Sequence, residues 1–232
     1  MKTTMKTTMK TTMKTKLFLS MLTIAIGFTA CKKDSPDPVV ETVITETVTE
    51  LDAQADSTFN SGTMGLFHFG PYTKFSFSEG GIVADSAENW DIAFRNSKIL
   101  VNGGVGEPQD LEQPNRTGDA AAYIIDGEMG DITSVNEDLL MQDGDNQGMY
   151  GTTAIIDDQG QAGIGWSIYN PLATPFPMLE AAAGKILVFR THNNRYAKVE
   201  ITGFYDAAMT NPYGGFYTFN YVYQSEEEIT TF

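Results

Sequence analysis

Residue types that usually carry enzyme chemistry are scarce in this 232-residue chain. It has no Gly-x-Ser-x-Gly nucleophile elbow and no His-Glu-x-x-His zinc motif. Its two histidines lie far apart, His68 between two phenylalanines of a strand candidate and His192 at a predicted turn. A single histidine on a strand is usually a hydrogen-bonded structural residue, so the sequence predicts a protein that is not an enzyme.

Two kinds of metal ligand remain to be considered. The segment Asp143-Gly144-Asp145-Asn146-Gln147-Gly148 resembles the start of a calcium loop, although Ala154 stands where a bidentate Glu would close it. Calcium is therefore a weak prediction, because Asp and Gly are also common turn residues. Methionine usually fills gaps in a core. Its thioether can also ligate haem iron, and four methionines lie in or beside predicted loops: Met129, Met141, Met149 and Met178.

The N-terminus explains the only cysteine of the chain. Residues 1–16 repeat Met-Lys-Thr-Thr and form a basic region, in which Met13 is an alternative start. The apolar segment from Leu17 to Ala30 is shorter than the roughly 20 residues that span a bilayer and is typical of a signal peptide. Its end, Gly-Phe-Thr-Ala-Cys, resembles a bacterial lipobox, so we predict a signal peptide over 1–30 and lipid attachment at Cys31.

Composition limits the partners. The chain is 41% hydrophobic, 11% aromatic and 19% charged, which is typical of a globular protein. Five of its 15 basic residues lie in the leader, so 10 basic and 30 acidic residues remain after cleavage, a formal charge of −20. Such an acidic surface repels nucleic acid, and we expect no nucleic-acid partner.

The candidate ligand residues lie on or between short strand-like segments that recur at regular spacing. Strand candidates alternate branched or aromatic residues with polar ones, and turns rich in Gly, Pro and Asn separate them. The pattern predicts an all-β fold, a single domain of many short antiparallel strands with little helix. The alternative is an α+β fold with short helices around 134–141 and 178–183. We predict three parts: the signal peptide, the lipidated tether with a first strand over 31–62, and the β domain over 63–232.

Several segments together resemble the HmuY family of haem-binding lipoproteins of Bacteroidetes. The most specific are Trp-Asp-Ile-Ala-Phe at 90–94 and Tyr-Ala-Lys-Val-Glu-Ile at 196–201. The others occur in matching order at 75–80, 102–104, 165–171, 184–191, 205–207 and 217–223. The resemblance implies an all-β fold, an outer-membrane lipid anchor, on the periplasmic or cell-surface face, and haem capture for a TonB-dependent transporter.

The resemblance also implies two ligand loops, each with a histidine in the best-known member. They fall near 139–149 and 170–178 here, and neither contains a histidine. Met141 and Met178 are the nearest substitutes and Met149 is third, which predicts haem binding through methionine. The alternative is a lipoprotein of the same fold that binds another ligand or a protein instead of haem.

Overall fold

The structure of the protein, a computed structural model, is all-β as the sequence predicts. It describes residues 42–60, 65–108, 110–145, 154–156, 165–170, 172, 173 and 178–232. The predicted signal peptide, Cys31 and Met149 lie outside these residues. The strands are β1 (Val43–Asp52), β2 (Asp56–Asn60), β3 (Gly65–Phe69), β4 (Thr73–Ser76), β5 (Gly81–Val83), β6 (Ile92–Arg95), β7 (Lys98–Val101), β8 (Ala121–Asp126), β9 (Ser167–Tyr169), β10 (Leu179–Ala181), β11 (Lys185–Arg190), β12 (Tyr196–Gly203) and β13 (Phe216–Gln224).

The strands form two main sheets and two ribbons. A five-stranded antiparallel sheet has the order β1-β13-β12-β11-β8, and a four-stranded one has the order β5-β4-β6-β7. The pairs β2-β3 and β9-β10 form two-stranded ribbons. The described residues include no helix with the length and hydropathy needed to cross a membrane.

The hydrophobic core lies between the inner faces of the two main sheets. Strand β13 alternates buried aromatic residues with less buried ones, because successive side chains of a strand point to opposite faces. Its buried rings meet those of the smaller sheet: the centroids of Phe75 and Phe219 are 5.5 Å apart, and those of Phe94 and Tyr217 are 4.6 Å apart. Edge-to-face and tilted pairs of this kind stabilise the stacking beyond the area that they bury.

Two local predictions were wrong. The polar segment 52–62 is typical of a loop in sequence, but β2 lies within it and pairs with β3 from Asp56↔Phe69 to Asn60↔Gly65. Backbone pairing in a ribbon satisfies the peptide groups whatever the polarity of the side chains. The helical turn predicted at 179–183 is strand β10, which pairs with β9. The first turn of a helix fixes several residues for a single hydrogen bond, so pairing with a neighbouring strand is more favourable. The α+β alternative is therefore wrong: in the described residues, the only helical element is a 3-10 turn at Glu137–Leu139.

Trp90 also departs from its predicted place. The sequence puts Trp90, Ile92 and Phe94 on one face of a strand, yet β6 begins only at Ile92. Trp90 instead packs with Tyr72, Ala93 and Leu100 on the opposite face of the smaller sheet. This second cluster buries both faces of β6, which explains why all four of its residues are buried.

A buried carboxylate forms hydrogen bonds with a turn of each of the two main sheets. Asp91, 2% exposed, accepts hydrogen bonds from the backbone N–H groups of Phe77 at 2.7 Å and His192 at 2.9 Å. Its Oδ1 also lies 2.7 Å from Nδ1 of His192, and an acceptor-only carboxylate requires that nitrogen to carry the hydrogen. Phe77 follows β4 and His192 follows β11, so one side chain holds a turn of each sheet.

We expect Asp91→Asn to lower the free energy of unfolding by about 3 kcal/mol, because the new amide group faces donors that need an acceptor. Urea denaturation of the purified protein measures the change. Asp131→Asn is the control: it alters an exposed carboxylate and should cost under about 0.5 kcal/mol. Equal stability of the two variants would contradict this role of Asp91.

Candidate functional site

The two segments that lead into the predicted ligand loops form hydrogen bonds near the two ends of strand β7. In the turn just before it, the indole Nε1 of Trp166 donates to the carbonyl of Ser97 at 3.2 Å. At its end, the N–H of Val101 donates to Oδ2 of Asp143 at 3.1 Å. Strand residues rise about 3.3 Å each, so these anchors lie roughly 13 Å apart along the chain direction. The spacing of the two loops is thus fixed by a buried strand.

Asp143 holds the first loop. The residue is 1% exposed, and its Oδ1 accepts from the N–H of Ile155 at 2.9 Å. Its Oδ2 accepts from Nε and Nη2 of Arg116 at 3.2 and 2.7 Å as well as from Val101. Burial raises the pKa of the Asp143 carboxyl, and the Arg116 guanidinium opposes the rise. The side chain therefore joins three segments that are distant in sequence.

This geometry argues against calcium at Asp143. Both carboxylate oxygens already accept hydrogen bonds from protein donors, and a guanidinium supplies the balancing positive charge. Asp145 does not complete a site either, because its Oδ2 accepts from the N–H of Gln142 at 2.8 Å in a local turn. Within the described ranges, no three His, Cys, Asp or Glu side chains are grouped to hold a metal ion.

Met141 lies at the edge of the larger sheet. Its backbone forms an isolated antiparallel bridge to Ala122, with N–H···O distances of 2.9 and 3.2 Å. This pairing fixes the backbone while the side chain remains accessible, since the residue is 40% exposed. A clamped backbone with an accessible thioether is suited to presenting sulfur to a ligand.

Met178 lies in the second loop, directly before β10. Its carbonyl accepts from the N–H of Asn170 at 2.7 Å, which closes the loop, and the residue is 37% exposed. Neighbouring apolar side chains are also exposed: Ile168 by 57%, Tyr169 by 58% and Leu172 by 87%. Adjacent residues of a strand point to opposite faces, so both faces of this ribbon present apolar surface. Exposed apolar groups clustered in this way are typical of a binding surface.

Neither histidine lies in these two loops. Nδ1 of His68, on β3, is 2.8 Å from Oγ of Ser57 on the partner strand. Burial and, secondarily, the charge of Arg95 lower the pKa of His68. His192 is held by Asp91 at the turn after β11. These contacts are what structural histidines make.

The structure therefore places Met141 and Met178 on separate segments that are anchored near opposite ends of β7. The sequence predicts both methionines as ligands, which stays a prediction, and it does not reveal the Asp143–Arg116 pair. The signal that could have found it is weak: an Asp in a Gly-rich turn and an Arg in a Pro-containing loop, 27 residues apart.

Two antiparallel sheets with accessible side chains on the connecting loops are an arrangement found in many β-sheet binding proteins. Comparison with protein families assigns residues 71–221 to the HmuY protein family. This match covers well over half of the chain, and the protein belongs to that family, as the resemblance predicted. No curated protein sequence matches the chain.

Three solved structures are similar in outline. A provisionally assigned lipoprotein of Bacteroides fragilis is 14% identical, with 80% of this chain and 92% of that one covered and a TM-score of 0.41. The apo HmuY analogue of Tannerella forsythia is 16% identical, with 79% and 97% covered and a TM-score of 0.41. A provisionally assigned HmuY-like haem-binding protein of Bacteroides vulgatus is 15% identical, with 80% and 93% covered and a TM-score of 0.39. These are loose overlaps, and family membership rests on the sequence match.

The accessibility of the two thioethers can be tested directly. Brief treatment with hydrogen peroxide, followed by peptide mass spectrometry, should oxidise Met141 and Met178 at rates close to that of Met209, which is 47% exposed. Met129, which packs against a buried cluster, should react several times more slowly. Equal rates at Met129 and Met141 would contradict the surface position of the proposed site.

Proposed function

We propose that this protein is a lipoprotein that binds haem in the manner of a hemophore, with Met141 and Met178 as axial ligands and Met149 as the third candidate. The observation that carries the proposal is the exposure of both thioethers at the two loops where the family resemblance places ligands. Met209 is equally exposed and lies outside both loops, so exposure supports the proposal only together with the position of Met141 and Met178.

The types of residue at the two loops suit the proposed group. Thioether sulfur is an established ligand of haem iron, and backbone pairing at Ala122 and Asn170 holds each methionine in place. Ile168, Tyr169 and Leu172 offer apolar area beside Met178, which suits the flat hydrophobic face of a porphyrin. Bound haem would supply an iron centre, while the protein would supply two neutral ligands and an apolar surface.

A second candidate function is binding of another ligand or a partner protein by the same fold. It is favoured by the position of both histidines, which lie outside the ligand loops and are engaged in structural contacts. The exposed side chains of the β9–β10 ribbon would then form the contact surface. Hemin titration separates the two candidates.

Titrating hemin into the purified protein should produce a shifted Soret band with saturation. Met141→Ala and Met178→Ala should each weaken binding at least about tenfold, and the pair should abolish the ligand-dependent spectrum, because the iron loses its axial sulfur. Met209→Ala is the matched control, an equally exposed methionine outside both loops, and it should bind hemin normally. A protein with no Soret shift would favour the second candidate, and an unchanged spectrum in the double variant would exclude methionine ligation.

We further propose that the protein is attached to the outer membrane through Cys31 and delivers haem to a TonB-dependent transporter. The signal peptide over 1–30, the tether with a first strand over 31–62 and the β domain over 63–232 are the parts of this arrangement. Support comes from the sequence alone: an apolar segment of signal length ends at the only cysteine of the chain.

Replacing Cys31 by Ser should abolish incorporation of radiolabelled palmitate and release the protein from the membrane fraction, because a hydroxyl is not the thiol that is acylated. Cell fractionation and labelling of the expressed full-length chain measure both effects. A control substitution, Ser35→Ala in the tether, should leave both unchanged. Continued acylation of the Cys31→Ser variant would contradict this anchor.

A further inference from the structure

We infer that the buried Asp143–Arg116 pair is a positioning pair, which sets the direction in which the first loop presents Met141 to its ligand. The inference rests on the proposed haem function for the identity of the ligand. The positioning itself rests only on contacts in the described residues.

The pair fixes the loop from several sides. The Asp143 carboxylate accepts hydrogen bonds from Val101 of β7, from Arg116 and from Ile155. Its backbone is held too, because its carbonyl accepts from the N–H of Val105 at 2.8 Å and it forms a parallel bridge with Gly104. A Cβ at Gly104 would collide with the Asp143 carbonyl, so the close approach requires glycine there.

Little chain separates this anchor from Met141. Only Gln142 lies between them, and its Nε2 donates to Oδ1 of Asp119 at 2.9 Å while its N–H donates to Asp145. Met141 itself is paired with Ala122. Every residue from 141 to 143 is therefore held, and the contacts of Asp143 are among those that set the position of Met141.

Stability alone is a poor explanation for the pair. Both side chains are removed from water, with 5% of Arg116 and none of Asp143 exposed, and burying two charges costs free energy that apolar packing would not. A buried pair gives directional bonds, and Arg116 contributes two of them to one carboxylate oxygen. Directional bonds fix orientation, which is what a ligand-presenting loop needs.

The positioning can be tested without any ligand. In the apo protein, Asp143→Asn should raise amide hydrogen exchange in peptides covering 139–145 and 154–156 and leave β11 to β13 unchanged. The matched control is Asp110→Asn, since Asp110 pairs with another buried arginine, Arg95, and holds a different loop. If exchange at 139–145 is unaltered in Asp143→Asn, or rises equally in Asp110→Asn, the positioning role is wrong.

A double-mutant cycle tests the link to the ligand. Asp143→Asn should weaken hemin binding about 10- to 100-fold in the native background, and under about twofold when Met141 is already Ala, because the two residues act through one interaction. A merely structural role would weaken binding by the same factor in both backgrounds and would overturn the inference. Arg116→Lys, which keeps the charge and loses the paired geometry, should give a smaller loss in the same cycle and serves if Asp143→Asn does not fold.

The test distinguishes failure of the inference from failure of the proposed function. If the native protein does not bind hemin, the proposed function and the ligand part of the inference are both wrong, while the exchange experiment still decides the positioning. If the native protein binds hemin and the cycle is additive, the proposed function stands and the inference is wrong.

Discussion

Every polar group that enters the space between two stacked sheets needs a partner, and this requirement shapes the loops of the protein. Two aspartates meet it. Asp91 accepts three hydrogen bonds and Asp143 accepts four, nearly all from segments distant in sequence. An unpaired buried carboxylate would cost several kcal/mol, so the chain can close its core only when these loops take one arrangement. Burial of the aromatic interior drives the two sheets together. The hydrogen bonds of the two carboxylates then determine which arrangement the loops adopt.

The same requirement explains why the candidate site is both rigid and exposed. Asp143 and Trp166 form hydrogen bonds with the backbone at the two ends of β7. Met141 lies two residues before Asp143, and Met178 lies at the far end of the β9–β10 ribbon that follows Trp166. Backbone pairing removes conformational freedom from Met141 before any ligand arrives. A ligand then has less ordering entropy to offset, which is the physical advantage of a preorganised site.

Much of the fold could be predicted because it depends on local pattern. The alternating aromatics of β13 and the hairpin of β6 and β7 follow from side-chain period and turn residues. What failed depended on partners outside the local pattern: β10 is a strand because it pairs with β9, and Trp90 lies on the other face because it packs with Tyr72 and Leu100. For the site, the resemblance pointed to Met141 and Met178. Calcium at Asp143 is only a weak prediction, and no sequence pattern reveals that Arg116 reaches this carboxylate.

Charge places a further constraint on the proposed ligand. Haem carries propionate carboxylates, and the chain is strongly acidic, with 30 acidic and 15 basic residues. Arg116 is committed to Asp143, Arg95 to Asp110 and Arg190 to Asp119, while the ammonium groups of Lys74 and Lys198 are held by backbone carbonyls. Long-range attraction therefore contributes little, and affinity would depend on iron–sulfur bonds and apolar contact. Neutral thioethers suit such a site better than imidazoles, since they do not titrate near an ordinary histidine pKa of about 6.5 and keep the same ligand strength as the pH falls.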